Sequence, residues 1–117
     1  LQDVTKLQVY QLARSIGIIP EAILNKTPSA ELKENQTDFD TLPPFEILDP
    51  ILEAYIEKRL SPEAIAHNQK QPIAFVKEII RKVHLAEYKR RQTPIGLRVT
   101  EKAFGKGRIV PIVQKWL

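Results

Sequence analysis

The sequence predicts a mainly α fold with about four helices, one long polar loop and little strand. Three observations carry this. Apolar residues recur at helical spacing in four stretches, cap and proline signatures bracket those stretches, and apolar–polar alternation is confined to the four residues Leu97-Arg98-Val99-Thr100. At 117 residues, 43% hydrophobic and 27% charged, one modest core is feasible and two independent domains are not. Four regions follow: helix and turn over 1–25, a loop over 26–44, helices over 45–92 and a basic extended tail over 93–117.

The first helix is expected from Lys6 to Ile16, where Val9, Leu12, Ala13 and Ile16 form a stripe. Thr5 with Gln8 makes a capping box, and Gly17 suits the left-handed position after a helix. Ile18-Ile19-Pro20 then favours extended backbone, and Pro20 to Leu24 holds a single further turn. From Lys26 to Pro44 the periodicity fails. A structureless loop of that length in a compact domain is usually a lid or disordered, which makes it the first place to look for function.

Helical spacing returns at Ile47, Leu48, Ile51, Leu52, Tyr55 and Ile56, interrupted by Asp49-Pro50. A proline inside a helix costs ~3 kcal/mol but suits the first turn. Asp49 is therefore expected as cap, Pro50 as first helical residue and 45–48 as a preceding turn. Ser61-Pro62-Glu63 opens a short helix to about His67, with Asn68 to Gln71 as its exit. Pro72 starts the longest helix, whose stripe of Ile73, Val76, Ile79, Ile80, Val83 and Leu85 or Ala86 extends to about Gln92. Thr93-Pro94-Ile95-Gly96 ends it, and Leu97 to Thr100 is an extended segment or edge strand. Phe104 to Arg108 reads as a flexible basic turn, with Trp116 as the only bulky anchor of the tail.

Composition excludes several chemistries. With no cysteine, disulfides, thiolate metal sites and cysteine nucleophiles are ruled out, and the chain fits the cytoplasm. No apolar run approaches the ~20 residues that span a bilayer, so no membrane partner is expected. The chain opens on Leu1 rather than Met, which leads us to expect a piece of a longer open reading frame. With glycine only at positions 17, 96, 105 and 107, these residues hold no glycine-rich phosphate cradle.

Charge is uneven: residues 1–76 carry seven Lys/Arg against eleven Asp/Glu, and residues 77–117 eleven against three. The basic end has two elements, Glu87-Tyr88-Lys89-Arg90-Arg91-Gln92 and Lys102 to Arg108. The first either complements the helix dipole as a solvated end, or holds Lys89 and Arg90 or Arg91 against a ligand phosphate or carboxylate. A separate reading of the basic third is a helical module that binds nucleic acid or another polyanion, or a plain interaction module. No stacking surface or docking motif supports nucleic acid. His67 and His84 lie in different helices and read as ordinary helix residues. Magnesium could sit near Asp38 and Asp40, although a solvated acidic loop carries more weight.

Taken together, Asp3-Val4-Thr5-Lys6, Lys26-Thr27-Pro28-Ser29-Ala30-Glu31-Leu32, Gln36-Thr37-Asp38, Leu42-Pro43-Pro44-Phe45, the Glu87–Gln92 run and Phe104-Gly105-Lys106-Gly107-Arg108 with Pro111-Ile112 are specific. In this order they resemble the C-terminal part of NAD synthetases, most closely the glutamine-dependent type. Phe39 and Pro50 depart from the family pattern, which usually has a polar residue and a helix former there. The resemblance implies an α/β adenine-nucleotide alpha-hydrolase-like synthetase domain, of which this mainly α chain is a portion. It implies an enzyme that adenylates deamido-NAD with ATP and Mg2+, then amidates it with glutamine-derived ammonia to give NAD, AMP and pyrophosphate. The serine-glycine-glycine phosphate loop and the glutaminase domain would lie upstream in the same polypeptide, so the chain alone would be inactive. By the same resemblance Lys6, Tyr88 and Lys89 meet deamido-NAD, while Lys26, Ser29 and Asp38 belong to the loop that closes over ATP. No metal ligand is assigned. A homo-oligomer is expected, because helix faces left without their domain would pair with another subunit.

Overall fold

The computed structural model describes residues 3–101 and 109–113. Among these described residues lie six helices, α1 (Lys6–Ile16), α2 (Glu21–Leu24), α3 (Phe45–Ile56), α4 (Pro62–Gln69), α5 (Ile73–Leu85) and α6 (Glu87–Gln92), with a 3-10 turn at Asp38–Asp40. No strand forms among the described residues. The basic turn at Phe104–Arg108 and the Trp116 anchor lie outside them. Two compact units divide the chain, Thr5–Asp49 and a second made of Leu1–Val4 with Pro50–Leu117.

In the Thr5–Asp49 unit the start of α1 forms as its residues dictate. The Thr5 hydroxyl accepts from the Gln8 N–H, and the Gln8 side chain accepts from the Thr5 N–H at 2.9 Å. Gly17 closes the helix at φ 71°. Of the four orphan N–H groups at a helix start, that of Leu7 is met from far along the chain: it donates to Asp49 Oδ2 at 2.8 Å. None of the residues of α1 is fully buried, and α2 is one turn packed against it.

Asp49 therefore does not cap α3, as expected from the sequence, and 45–48 is not a separate turn. Helix α3 runs unbroken from Phe45, its first turn accepted by Pro44, whose carbonyl takes the Ile47 and Leu48 N–H groups at 3.0 Å. Pro50 sits inside it, at the cost of the bond to Glu46 that its missing N–H would make. Burial of Phe45, Leu48 and Ile51, each worth about 1.5–3 kcal/mol, outweighs that cost.

The second unit has its core between helices. Ile51 of α3, Ile65 of α4, and Val76 and Ile80 of α5 are all but fully enclosed, and α4 packs along α5. Ser61 accepts from the Ala64 N–H to cap α4, which continues to Gln69, two residues past the expected end, because Lys70 supplies the left-handed cap at φ 52°. The long helix expected to reach Gln92 is two helices. Ala86 departs from helical geometry at φ −81°, ψ 4°, ending α5 and starting α6. Along α5 the buried stripe is Val76, Ile79, Ile80 and Val83, whereas Ile73 and Leu85 are exposed. His84 is buried and its Nε2 lies 2.6 Å from the Tyr55 hydroxyl. The segment expected to be extended or an edge strand pairs with no strand. The N–H groups of Val99 and Thr100 and the Thr100 hydroxyl all donate to Asp3 Oδ2, at 2.7–2.8 Å.

Candidate functional site

Each site residue inferred from the sequence falls in one of the two units. The Thr5–Asp49 unit holds Lys6, Lys26, Ser29 and Asp38, and the second holds Tyr88 and Lys89.

Lys6 is the first residue of α1, so the Thr5 box and the Asp49 bond that fix this helix end also fix the lysine. Its ammonium lies 5.6 Å from the Tyr10 ring centre and 5.9 Å from that of Phe45. Phe45 in turn meets Phe39 with ring centres 5.4 Å apart. Two aromatic faces hold the cation without cancelling its charge. Among the described residues no carboxylate comes within 4 Å of Lys6.

The loop is drawn together by Asp38, whose N–H donates to the Pro28 carbonyl at 2.9 Å. Within it Glu31 holds both other candidates. Its carboxylate takes Lys26 Nζ at 2.7 Å, and its N–H donates to Ser29 Oγ at 3.0 Å. The hydrogen bond and opposite charge raise the Lys26 pKa and lower that of Glu31. Both groups are exposed, so this ion pair is weak and exchangeable. Ser29 and residues 31–36 line an open recess of about 410 Å³. Asp40, considered beside Asp38 for magnesium, spends both carboxylate oxygens on the Thr37 N–H and hydroxyl, at 2.9 and 3.0 Å. No group of three His, Asp or Glu is placed to hold a metal ion among the described residues.

The cationic run resolves into two faces. Glu87, only 2% exposed, accepts from Arg90 at 2.6 and 3.1 Å and from Arg91 at 3.4 Å, and also from the Val110 N–H at 3.3 Å. Arg91 adds a bond to the Val110 carbonyl at 2.8 Å. Burial pushes the Glu87 carboxyl up, but the Arg90, Val110 and Arg91 contacts outweigh it and hold the group below its ordinary range. Lys89 is exposed, with no carboxylate within 4 Å among the described residues, and its ammonium lies 6.0 Å from the ring centre of the half-exposed Tyr88. Of the three cations weighed for ligand contact, Arg90 and Arg91 are thus engaged internally and Lys89 is presented.

Sequence reasoning missed Glu87 and Asp49 as anchors. Glu87 at i−3 and i−4 from Arg90 and Arg91 was the available signal, whereas nothing local in Asp49-Pro50 points to Leu7.

The model of the NAD synthase family matches residues 1–93. This chain belongs to the NAD synthase family. It is 49% identical to the glutamine-dependent NAD(+) synthetase of Aquifex aeolicus over 99% of its length, and 43% identical to that of Synechocystis over 97%. It spans about a fifth of the length of these relatives, 21% in each case. Among solved structures, the glutamine-dependent NAD+ synthetase of Acinetobacter baumannii in complex with ADP superposes with a TM-score of 0.61, at 36% identity, over 100% of this chain and 20% of that one. Among the described residues this portion of the family forms helices, turns and loops with no strand, and none of those helices is long and apolar enough to cross a membrane.

Proposed function

We propose that this chain is the C-terminal part of the synthetase domain of a cytoplasmic glutamine-dependent NAD synthetase, and that it supplies deamido-NAD contacts and the loop over ATP. The observation that carries this is Lys89, a cation held on a helix and left unpaired by carboxylates among the described residues, while Arg90 and Arg91 share Glu87. Such a group binds a phosphate or carboxylate without first giving up an internal partner. Lys6, poised between Tyr10 and Phe45, offers a second.

In this reading the nicotinate carboxylate of deamido-NAD attacks the α-phosphorus of ATP, pyrophosphate leaves, and ammonia then displaces AMP to form the amide. Lys89 and Lys6 hold anionic groups of the dinucleotide, with Tyr88 flanking Lys89. Lys26 and Ser29 meet ATP phosphates once these displace Glu31, and the loop pinned at Pro28 and Asp38 keeps water from the adenylate. The ADP bound to the Acinetobacter baumannii relative supports an adenine-nucleotide site in the assembled domain. Magnesium bound with ATP would offset phosphate charge, and in this chain Asp40 is committed to Thr37.

With glycine at only four positions the sequence carries no glycine-rich phosphate-loop motif, so upstream synthetase and glutaminase regions are its obligate partners and the 117-residue chain alone has no activity. The test is an assay of the complete protein with ATP, Mg2+, deamido-NAD and ammonia. NAD, AMP and pyrophosphate in equal amounts are expected, and absence of NAD overturns the proposal.

A further inference from the structure

We infer that Glu87 is a positioning residue that sorts the cations of α6, binding the guanidinium groups of the half-buried Arg90 and the exposed Arg91 so that Lys89 is the one offered to deamido-NAD. The inference rests on the function proposed above and adds to it the residue that decides which cation reaches the ligand.

Helix geometry makes the sorting possible. Successive residues turn by about 100°, so Arg90 and Arg91 fall back near the direction of Glu87, while Lys89 lies roughly opposite and Tyr88 between. Glu87 exploits this with both oxygens: Oε2 takes Nε and Nη2 of Arg90, and Oε1 takes Nε of Arg91 and the Val110 N–H. The Arg91 bond to the Val110 carbonyl closes the cluster, which ties α6 to a backbone segment 19 residues downstream of that arginine. A six-residue helix has little stability of its own. Its orientation, and with it the direction of Lys89, is set by this buried carboxylate. Without the carboxylate, the Arg90 and Arg91 bonds to Glu87 and its bond from the Val110 N–H are all lost together.

Steady-state kinetics of the complete synthetase test this, with Glu87→Gln as the main variant and Glu87→Asp as the conservative one. Glu87→Gln should raise KM for deamido-NAD about tenfold, the scale of one charge-assisted contact. KM for ATP and kcat should stay near wild type, and Glu87→Asp should restore part of the loss. Should Glu87→Gln fold poorly, the double variant Glu87→Met with Arg90→Met removes the buried pair together, puts apolar side chains in its place, and still leaves Arg91 without its carboxylate, with only the Val110 carbonyl to hold it. Its KM for deamido-NAD should remain raised. A wild-type KM for deamido-NAD in either folded variant, or an equal rise in both KM values, overturns the inference while leaving the proposed function intact. A wild-type enzyme that makes no NAD overturns both.

Discussion

Replacing Asp49 by alanine should loosen the start of α1, more than forty residues away in sequence, rather than the middle of α3, which contains it. The structure sets the magnitude. Asp49 is buried and its Oδ2 is the acceptor for the Leu7 N–H at 2.8 Å, so alanine removes a charged acceptor and leaves a partly buried donor unpaired. Loss of a helix N-terminal acceptor costs about 0.5–2 kcal/mol and loss of a hydrogen bond to a charged group about 1.5–3 kcal/mol; these describe the same bond, so about 2 kcal/mol is expected. That is roughly a thirtyfold faster exchange of the Leu7 amide in the regime where opening is an equilibrium. Asp49→Asn keeps an oxygen acceptor and loses mainly the favourable charge at the helix N-terminus, about 0.3–1 kcal/mol. Hydrogen exchange by NMR on both variants, with a thermal melt beside it, reads this out. If Leu7 exchanges no faster in Asp49→Ala than in wild type, or if the loss is confined to amides of α3, Asp49 caps its own helix and the long-range bond has no energetic role.

Ile65→Ala, at a fully enclosed core position, should destabilise the chain by about 2–5 kcal/mol in denaturant titration, against under about 0.5 kcal/mol for the exposed Ile18→Ala. Gly17 and Lys70 occupy the same left-handed position after a helix, so Gly17→Ala should cost about 1 kcal/mol and Lys70→Gly should gain a similar amount, measured by thermal unfolding. The Glu87 carboxyl is held below its unfolded value near 4.5, so its contribution to stability is complete above that pH and is lost as pH falls through the folded value. The acid limb of a stability–pH curve should therefore flatten in Glu87→Gln, and an unchanged limb would count against the buried cluster.

What was legible in the sequence was local. The Thr5 box and Gly17 specify both ends of α1 because every partner lies within a turn, and Ser61-Pro62 does the same for α4. The departures from expectation all come from distant partners. Pro50 is tolerated inside α3 because burial of its flanking residues outweighs one missing bond, which no proline rule read along the chain captures. The single long helix became α5 and α6 because Glu87, read as one more charge in a basic run, is a buried anchor for Val110, 23 residues on. His84, read as an ordinary helix residue, meets Tyr55 from 29 residues away. The family motifs named Lys89 as a candidate, but its separation from Arg90 and Arg91 depends on the Glu87 contacts and could not be read from spacing. The loop candidates Lys26 and Ser29 were legible by resemblance, whereas their shared partner Glu31 is a property of the folded loop.

The central claim, that Lys89 presents the cation that deamido-NAD requires, is tested most directly by the kinetics of Lys89→Ala in the complete synthetase. A charge-assisted bond of about 1.5–3 kcal/mol predicts a drop of roughly tenfold to a hundredfold in kcat/KM for deamido-NAD. Arg81→Ala, which removes an exposed cation already paired with Glu78, serves as the control and should leave kcat/KM unchanged. Equal values of kcat/KM for Lys89→Ala and wild type would contradict the account.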